Sequence, residues 1–257
     1  PETVKYLTTD YLFCGCERLE EVTLPSTVTE YSKEMFAGCV NLTSIKGTGK
    51  ITKYAAGCFK GCSSKWITLD PEAEYEEGVF AEMDVESIAF PQGFKTVPDR
   101  MFKDCVKLKT LDLGEVESIG ESAFSGCALS SLTIPKSVSY IGSGAFGGYI
   151  DPDSHYGESL PIADVYIYGE NLEMGSFAID ASRVIIGNTV RRISCNYGLG
   201  SELWNVTDII FESGSVCEYF NIAGNTRIKS IELPSSLVEV GDNAFVECMN
   251  LKSIEIP

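Results

Sequence analysis

Phenylalanine punctuates the chain at 13, 36, 59, 80, 102, 124 and 146, at intervals of 23, 23, 21, 22, 22 and 22 residues. The next, Phe177, lies 31 residues on, so an insertion of about 9 residues (31 − 22) interrupts the period. The 68 residues from Phe177 to Phe245 divide into three degenerate repeats of about 23; Tyr197 or Leu199, and then Phe220 or Ile222, stand in the aromatic place. After each aromatic come two apolar residues one apart, as in Val22 and Leu24, Leu111 and Leu113, Ile231 and Leu233, and Ile254 and Ile256. Alternation at period two predicts a very short strand with these side chains inward. Proline often closes the strand, as Pro25, Pro91, Pro135, Pro234 and Pro257 do. A second apolar pair follows, as in Val116 and Ile119 or Val138 and Ile141, and then a small-residue turn such as IGESAF or IGSGAF leads into the next aromatic.

A period held over most of a chain signals a solenoid wound once per repeat, not a pair of compact domains. Each strand is too short to stand alone, but stacking on its neighbours about 4.8 Å away completes its hydrogen bonds and buries the apolar columns. Strand segments from 22–24 to 254–256, with 67–69 the third, imply eleven coils in one domain spanning 1–257. The insertion falls within 147–162, and 177–226 is degenerate. Gly120, Gly142 and Gly241 are expected to give backbone freedom at the corners.

The unit C-x-x-L-x-x-I-x-[IL]-P-x-x-[VL]-x-x-I-G-x-x-A-F, carried most closely by 102–146 and 228–257, resembles the BspA-type leucine-rich repeat. The resemblance covers nearly the whole chain. It implies an α/β-type repeat solenoid, a right-handed coil of about eleven repeats of ~22–23 residues with one short parallel strand each. It also implies a secreted or cell-surface bacterial protein, used in adhesion or host contact, with no catalytic residues to carry over and no cofactor.

Composition narrows the chemistry. With 20 basic and 37 acidic residues the formal charge is −17, a poor fit to phosphate backbones or anionic lipid. No run of 18 apolar residues occurs, so membrane insertion is not expected. The single histidine, His155, and the lack of a G-x-S-x-G elbow disfavour hydrolase triads. GTGKIT at 47–52 is not a phosphate loop, since Ile51 follows Lys50 where Ser or Thr is needed. Six of ten cysteines (Cys16, Cys39, Cys62, Cys105, Cys127 and Cys248) sit three residues after the aromatic, with Met83 taking that place once. They read as a column of buried free thiols. Cys14, Cys58, Cys195 and Cys217 are off phase, and Cys195 and Cys217, one coil apart, are a candidate disulfide.

The outward residue at the centre of most strands is small or polar: Thr23, Lys46, Thr68, Ala89, Asp112, Thr133, Glu232 and Glu255. Over three coils it is instead Tyr166 with Tyr168, then Ile185, then Ile210. Four apolar side chains together on a polar face mark a candidate docking site for an extracellular protein or glycan; the alternative that the insert folds over them stays open. The insert carries His155, Tyr149 and Tyr156, and its Asp151 and Asp153 fall short of a calcium loop. The ends share one repeat phase, so the chain reads as a binding scaffold or, alternatively, as a spacer or targeting segment of a longer protein, with homodimerisation through a solenoid end conceivable.

Overall fold

The structure is a computed structural model that describes residues 7, 9–62, 67–147, 149–150, 159–175, 179–195, 206–222 and 225–257. The chain winds as a parallel β-solenoid with two strands per coil, where one was expected, because the second apolar pair also enters a ladder. The first ladder uses the strands that follow the aromatic turn, from Glu21–Thr23 to Ser253–Glu255. The second uses two- to four-residue strands from Glu30–Tyr31 to Glu239–Val240. Register follows the repeat, with Leu132, Val165, Val184 and Ile209 aligned in the first ladder and Val97, Ile119, Ile141 and Met174 in the second. The hydrophobic core is one continuous cluster from Leu24 to Leu233.

Three expectations are corrected. No helix occurs among the described residues, so the fold is a β-solenoid and not an α/β one. The second ladder's ten strands, Glu30–Tyr31 to Glu239–Val240, are separated by nine steps, hence about nine full turns and not eleven. Residues 67–69 join no ladder. The insert forms an antiparallel hairpin whose arms are Tyr149–Ile150 and Ser159–Leu160; His155, Asp151, Asp153 and Tyr156 lie outside the described residues.

The aromatic turn forms a third wall of the coil. Residues two before and two after the aromatic take left-handed backbone angles: φ is 53° at Ser122 and 75° at Gly126 around Phe124, and 55° at Arg100 and 58° at Asp104 around Phe102. All eight non-glycine residues with positive φ among the described residues occupy these two places. The alternation turns every second N–H along the solenoid axis. Arg100, Phe102 and Asp104 donate to the carbonyls of Glu121, Ala123 and Ser125 one coil on, at 2.8, 2.8 and 2.7 Å. Between these positions the aromatic rings point inward and stack, Phe102 on Phe124 at 5.7 Å and 5°, Phe124 on Phe146 at 5.3 Å and 6°. Ile222 holds the aromatic place in the degenerate region, because its N–H donates to Ala244 in the same pattern.

The thiol column is borne out in its four central members, while Cys248 is only partly buried. The S–H donates to the carbonyl of the aromatic one coil back in Cys39 to Phe13 (3.1 Å), Cys62 to Phe36 (2.9 Å), Cys105 to Phe80 (3.3 Å) and Cys127 to Phe102 (3.2 Å), with Ile222 in that role for Cys248 (3.4 Å). Cys39, Cys62, Cys105 and Cys127 are buried free thiols, whereas Cys14 and Cys16 are exposed. Gly120 and Gly142 do not have positive φ; they are glycine because neighbouring coils nearly touch there. A Cβ on Gly142 would lie 2.6 Å from the Glu121 backbone nitrogen.

Two outcomes are expected. Ser122→Gly relieves left-handed strain in a central coil and stabilises by about 0.5–1 kcal/mol, whereas Ser122→Val destabilises by more than that; urea unfolding of both variants checks it. Burial raises the thiol of Cys39 from 9.0 to about 11 and that of Cys62 from 9.0 to about 12. The folded state therefore holds these protons more tightly than the unfolded chain. That stability is complete below pH 9.0 and is lost as pH rises towards 11–12. Unfolding free energy measured from pH 8 upward falls with a slope that shrinks in Cys62→Ala.

Candidate binding face

Side chains alternate along each first-ladder strand, so every second residue faces outward and stacks on its register partner in the next coil. Tyr166, Ile185 and Ile210 occupy one such row, following Thr133. They lie on strands of six, six and four residues, Ile162–Ile167, Ala181–Ile186 and Asp208–Phe211. Tyr166 is half-buried, Ile185 is 9% exposed between its neighbours, and Ile210 is 45% exposed. The other outward positions in the row, from Thr23 to Asp112 and then Glu232 and Glu255, are exposed and mostly polar. The structure therefore brings three of the four candidate residues into one strip.

Tyr168 plays a different part. It follows the strand, and its ring lies across Gly187 of the next coil, where a Cβ would come within 2.5 Å of its Cε1. From there its hydroxyl donates to Glu212 Oε1 two coils on, at 2.8 Å, and that hydrogen bond with the carboxylate raises the tyrosine's pKa. The other Glu212 oxygen accepts the Asn188 N–H at 3.2 Å. Tyr168 is thus a strut that fixes the edge of the strip. Sequence reasoning missed both Gly187 and Glu212, although they stand one and two coils further on at the place that Tyr168 holds in its own coil.

The first ladder is discontinuous. It divides into blocks, and one break separates Asp208–Phe211 from Ser230–Glu232. No inter-coil backbone hydrogen bond crosses this break among the described residues. A cleft of about 330 Å³ opens there, with Ile210, Phe211, Leu233 and Pro234 as apolar walls and Glu212 and Glu232 among its polar lining. The apolar strip runs directly into this cleft at Ile210.

Charge frames the strip. Arg183, on the strand beside Ile185, is paired with Asp164 at 2.6 Å. Asp208 is its register partner on the other side, so Arg183 stands between two acids, whereas Glu212, Glu232 and Glu255 stand on or beside the row and are in no ion pair with a described cation. Elsewhere cations sit between acids of adjacent coils, as Arg100 does between Glu77 and Glu121 and Arg191 between Glu170 and Glu218.

Among the described residues no group of three or more His, Cys, Asp or Glu side chains is arranged to hold a metal ion. No helix of the described residues is long and apolar enough to cross a membrane. Cys217 is a buried free thiol donating to its own coil's Tyr219 carbonyl at 3.3 Å; the side chain of Cys195 lies outside the described residues.

Gly187→Ala is expected to push the Tyr168 ring off its seat and break the bond to Glu212 while leaving the solenoid folded. Tyrosine absorbance titration checks this: one raised tyrosine pKa returns towards the ordinary range in the variant, with an unchanged far-ultraviolet circular dichroism spectrum.

A family model described as BspA type Leucine rich repeat region matches six copies, over residues 1–69, 73–152 and 201–257. No curated protein matches the chain. Among solved structures, a leucine rich cell surface protein of Faecalibacterium prausnitzii is 22% identical with a TM-score of 0.47, covering 96% of this chain and 81% of that one. A leucine-rich repeat protein of Bacteroides ovatus is 21% identical with a TM-score of 0.48 over 96% and 81%. One of Eubacterium ventriosum is 18% identical with a TM-score of 0.43 over 96% and 69%.

Proposed function

Because the chain belongs to the BspA-type leucine-rich repeat family, we propose that it is a non-catalytic binding scaffold, exposed on a bacterial cell surface or secreted, that engages an extracellular protein or glycan through its first-ladder face. The observation that carries this reading is the row Tyr166, Ile185 and Ile210, in register over three coils and ending in a half-exposed isoleucine on a face whose other central positions are mostly polar. Apolar surface exposed on an otherwise polar face, here at Ile210 and in part at Tyr166, marks interaction surfaces. A solenoid supports the role because its rigid walls hold outward residues in fixed rows while those residues vary without disturbing the core. Adhesion and host contact follow from the family resemblance and set the classes of partner to try first.

The test is binding of the purified protein to arrays of extracellular-matrix proteins, mucins and glycans, in parallel with a Tyr166→Ser/Ile210→Ser double variant. A ligand bound by the parent and lost by about tenfold or more in the variant, with circular dichroism and melting temperature preserved, supports the face as the site. A ligand held equally by both moves the site elsewhere on the solenoid. Absence of any ligand favours the reading of the chain as a spacer or targeting segment.

A further inference from the structure

The chemistry around the strip narrows the class of partner. Ile210 is both the end of the apolar row and a wall of the cleft at the ladder break, and Glu212 and Glu232 line that cleft. Neither carboxylate pairs with a described cation, and Arg183, on the strand beside Ile185, is committed to Asp164. Glu212 is also held in place: the Tyr168 hydroxyl fixes one of its oxygens and the Asn188 N–H the other. A fixed carboxylate beside apolar walls suits a side chain with an apolar stem and a cationic end, since lysine and arginine lay their methylenes on such walls and keep the charge on the acid.

The dimensions agree. From Tyr166 to Glu232 is three coil steps of about 4.8 Å, about 14 Å in all, which an extended segment covers with about four residues. Long-range attraction points the same way, because a chain of net charge −17 draws basic surfaces and repels acidic ones.

Resting on the reading of this face as the binding site, we infer that its partner is a protein that presents an extended segment whose one face carries apolar side chains followed by a basic one, the apolar side chains on the row and a lysine or arginine seated in the cleft between Glu212 and Glu232.

The probe is the synthetic peptide acetyl-Val-Lys-Val-Thr-Lys-Lys-amide, titrated against the full chain by isothermal titration calorimetry at low and at high salt. Its counterpart with glutamate for lysine is titrated alongside. The protein variants are Glu212→Gln/Glu232→Gln and the folded Tyr166→Ser/Ile210→Ser. The expected result is binding of the basic peptide alone, weakened about tenfold or more by either variant and by salt. Equal binding by parent and Glu212→Gln/Glu232→Gln overturns the seated cation. If that binding is still lost in Tyr166→Ser/Ile210→Ser, the face remains the site and only the partner chemistry is wrong. No binding of the basic peptide, together with a glycan that the apolar variant loses, overturns the inference in the same selective way. Binding of the peptide unchanged in both variants overturns the inference and the choice of face together.

Discussion

The turn around each phenylalanine is the constraint on which the rest of the molecule depends. Two residues in left-handed backbone conformation flank the aromatic, as Ser122 and Gly126 flank Phe124. That alternation turns the N–H groups of Ser122, Phe124 and Gly126 along the axis, onto the carbonyls of Ser143, Ala145 and Gly147. The same geometry points the ring inward onto the next ring. Non-glycine residues in the left-handed region cost about 1–2 kcal/mol each. Arg100, Asp104, Glu34 and Glu82 bear that cost, and it is offset only when the coil above supplies both the hydrogen-bond acceptors and a stacked ring. A coil is therefore incomplete without its neighbour, which is what makes the fold cooperative along one dimension. The thiol three residues later completes the corner by donating to the carbonyl of the aromatic one coil back, and a small apolar side chain with a weak donor suits that place.

The three walls carry unequal shares of this stacking. The second ladder runs as a three-stranded sheet from Glu30–Tyr31 to Glu74–Tyr75 and a seven-stranded one from Thr96–Val97 to Glu239–Val240, and the phenylalanine wall keeps its hydrogen-bond pattern from Tyr11 to Gly147. The first ladder is more broken, falling into four blocks of two to four strands among the described residues. Because the other walls hold the register, the first face tolerates gaps and changes of outward residue, and a face under few structural demands is where specificity is easiest to place. The four-stranded block from Ser131–Ile134 to Asp208–Phe211 shows the consequence. Its β-branched and aromatic outward residues make the longest strands of this ladder, and its last edge ends in a cleft where stacking continues on the other two walls.

Much of this was legible in the chain because a period of about 22 residues repeats every demand at a fixed offset. The inward pairs, the thiol column and the row Tyr166, Ile185 and Ile210 all follow from that phase. The second strand of each coil was harder to read, since two residues such as Tyr140–Ile141 show no alternation. The left-handed positions were hidden because glutamate, arginine and tyrosine fill several of them, and only the cross-coil partner explains why they are tolerated. Gly120 and Gly142 suggested free backbone angles, whereas their demand is steric and comes from a chain segment a full repeat away. Gly187 is the same kind of case, and it decides where Tyr168 lies.

These long-range demands also shape the electrostatics of the face. Where cations stand between acids of adjacent coils, as Lys53 does beside Glu74 and Glu76, the charges cancel at close range and contribute little beyond solubility. Around Ile210, Glu212 and Glu232 have no such partner among the described residues. They remain a local excess of negative potential next to apolar surface, held there partly by the strut from Tyr168 to Glu212. An arrangement of this kind acts in two ways at once. The charge speeds encounter with basic surfaces, and the apolar strip gives the contact its slower release. The first depends on ionic strength and the second does not, so the same face changes from selective on rate to selective on shape as salt rises.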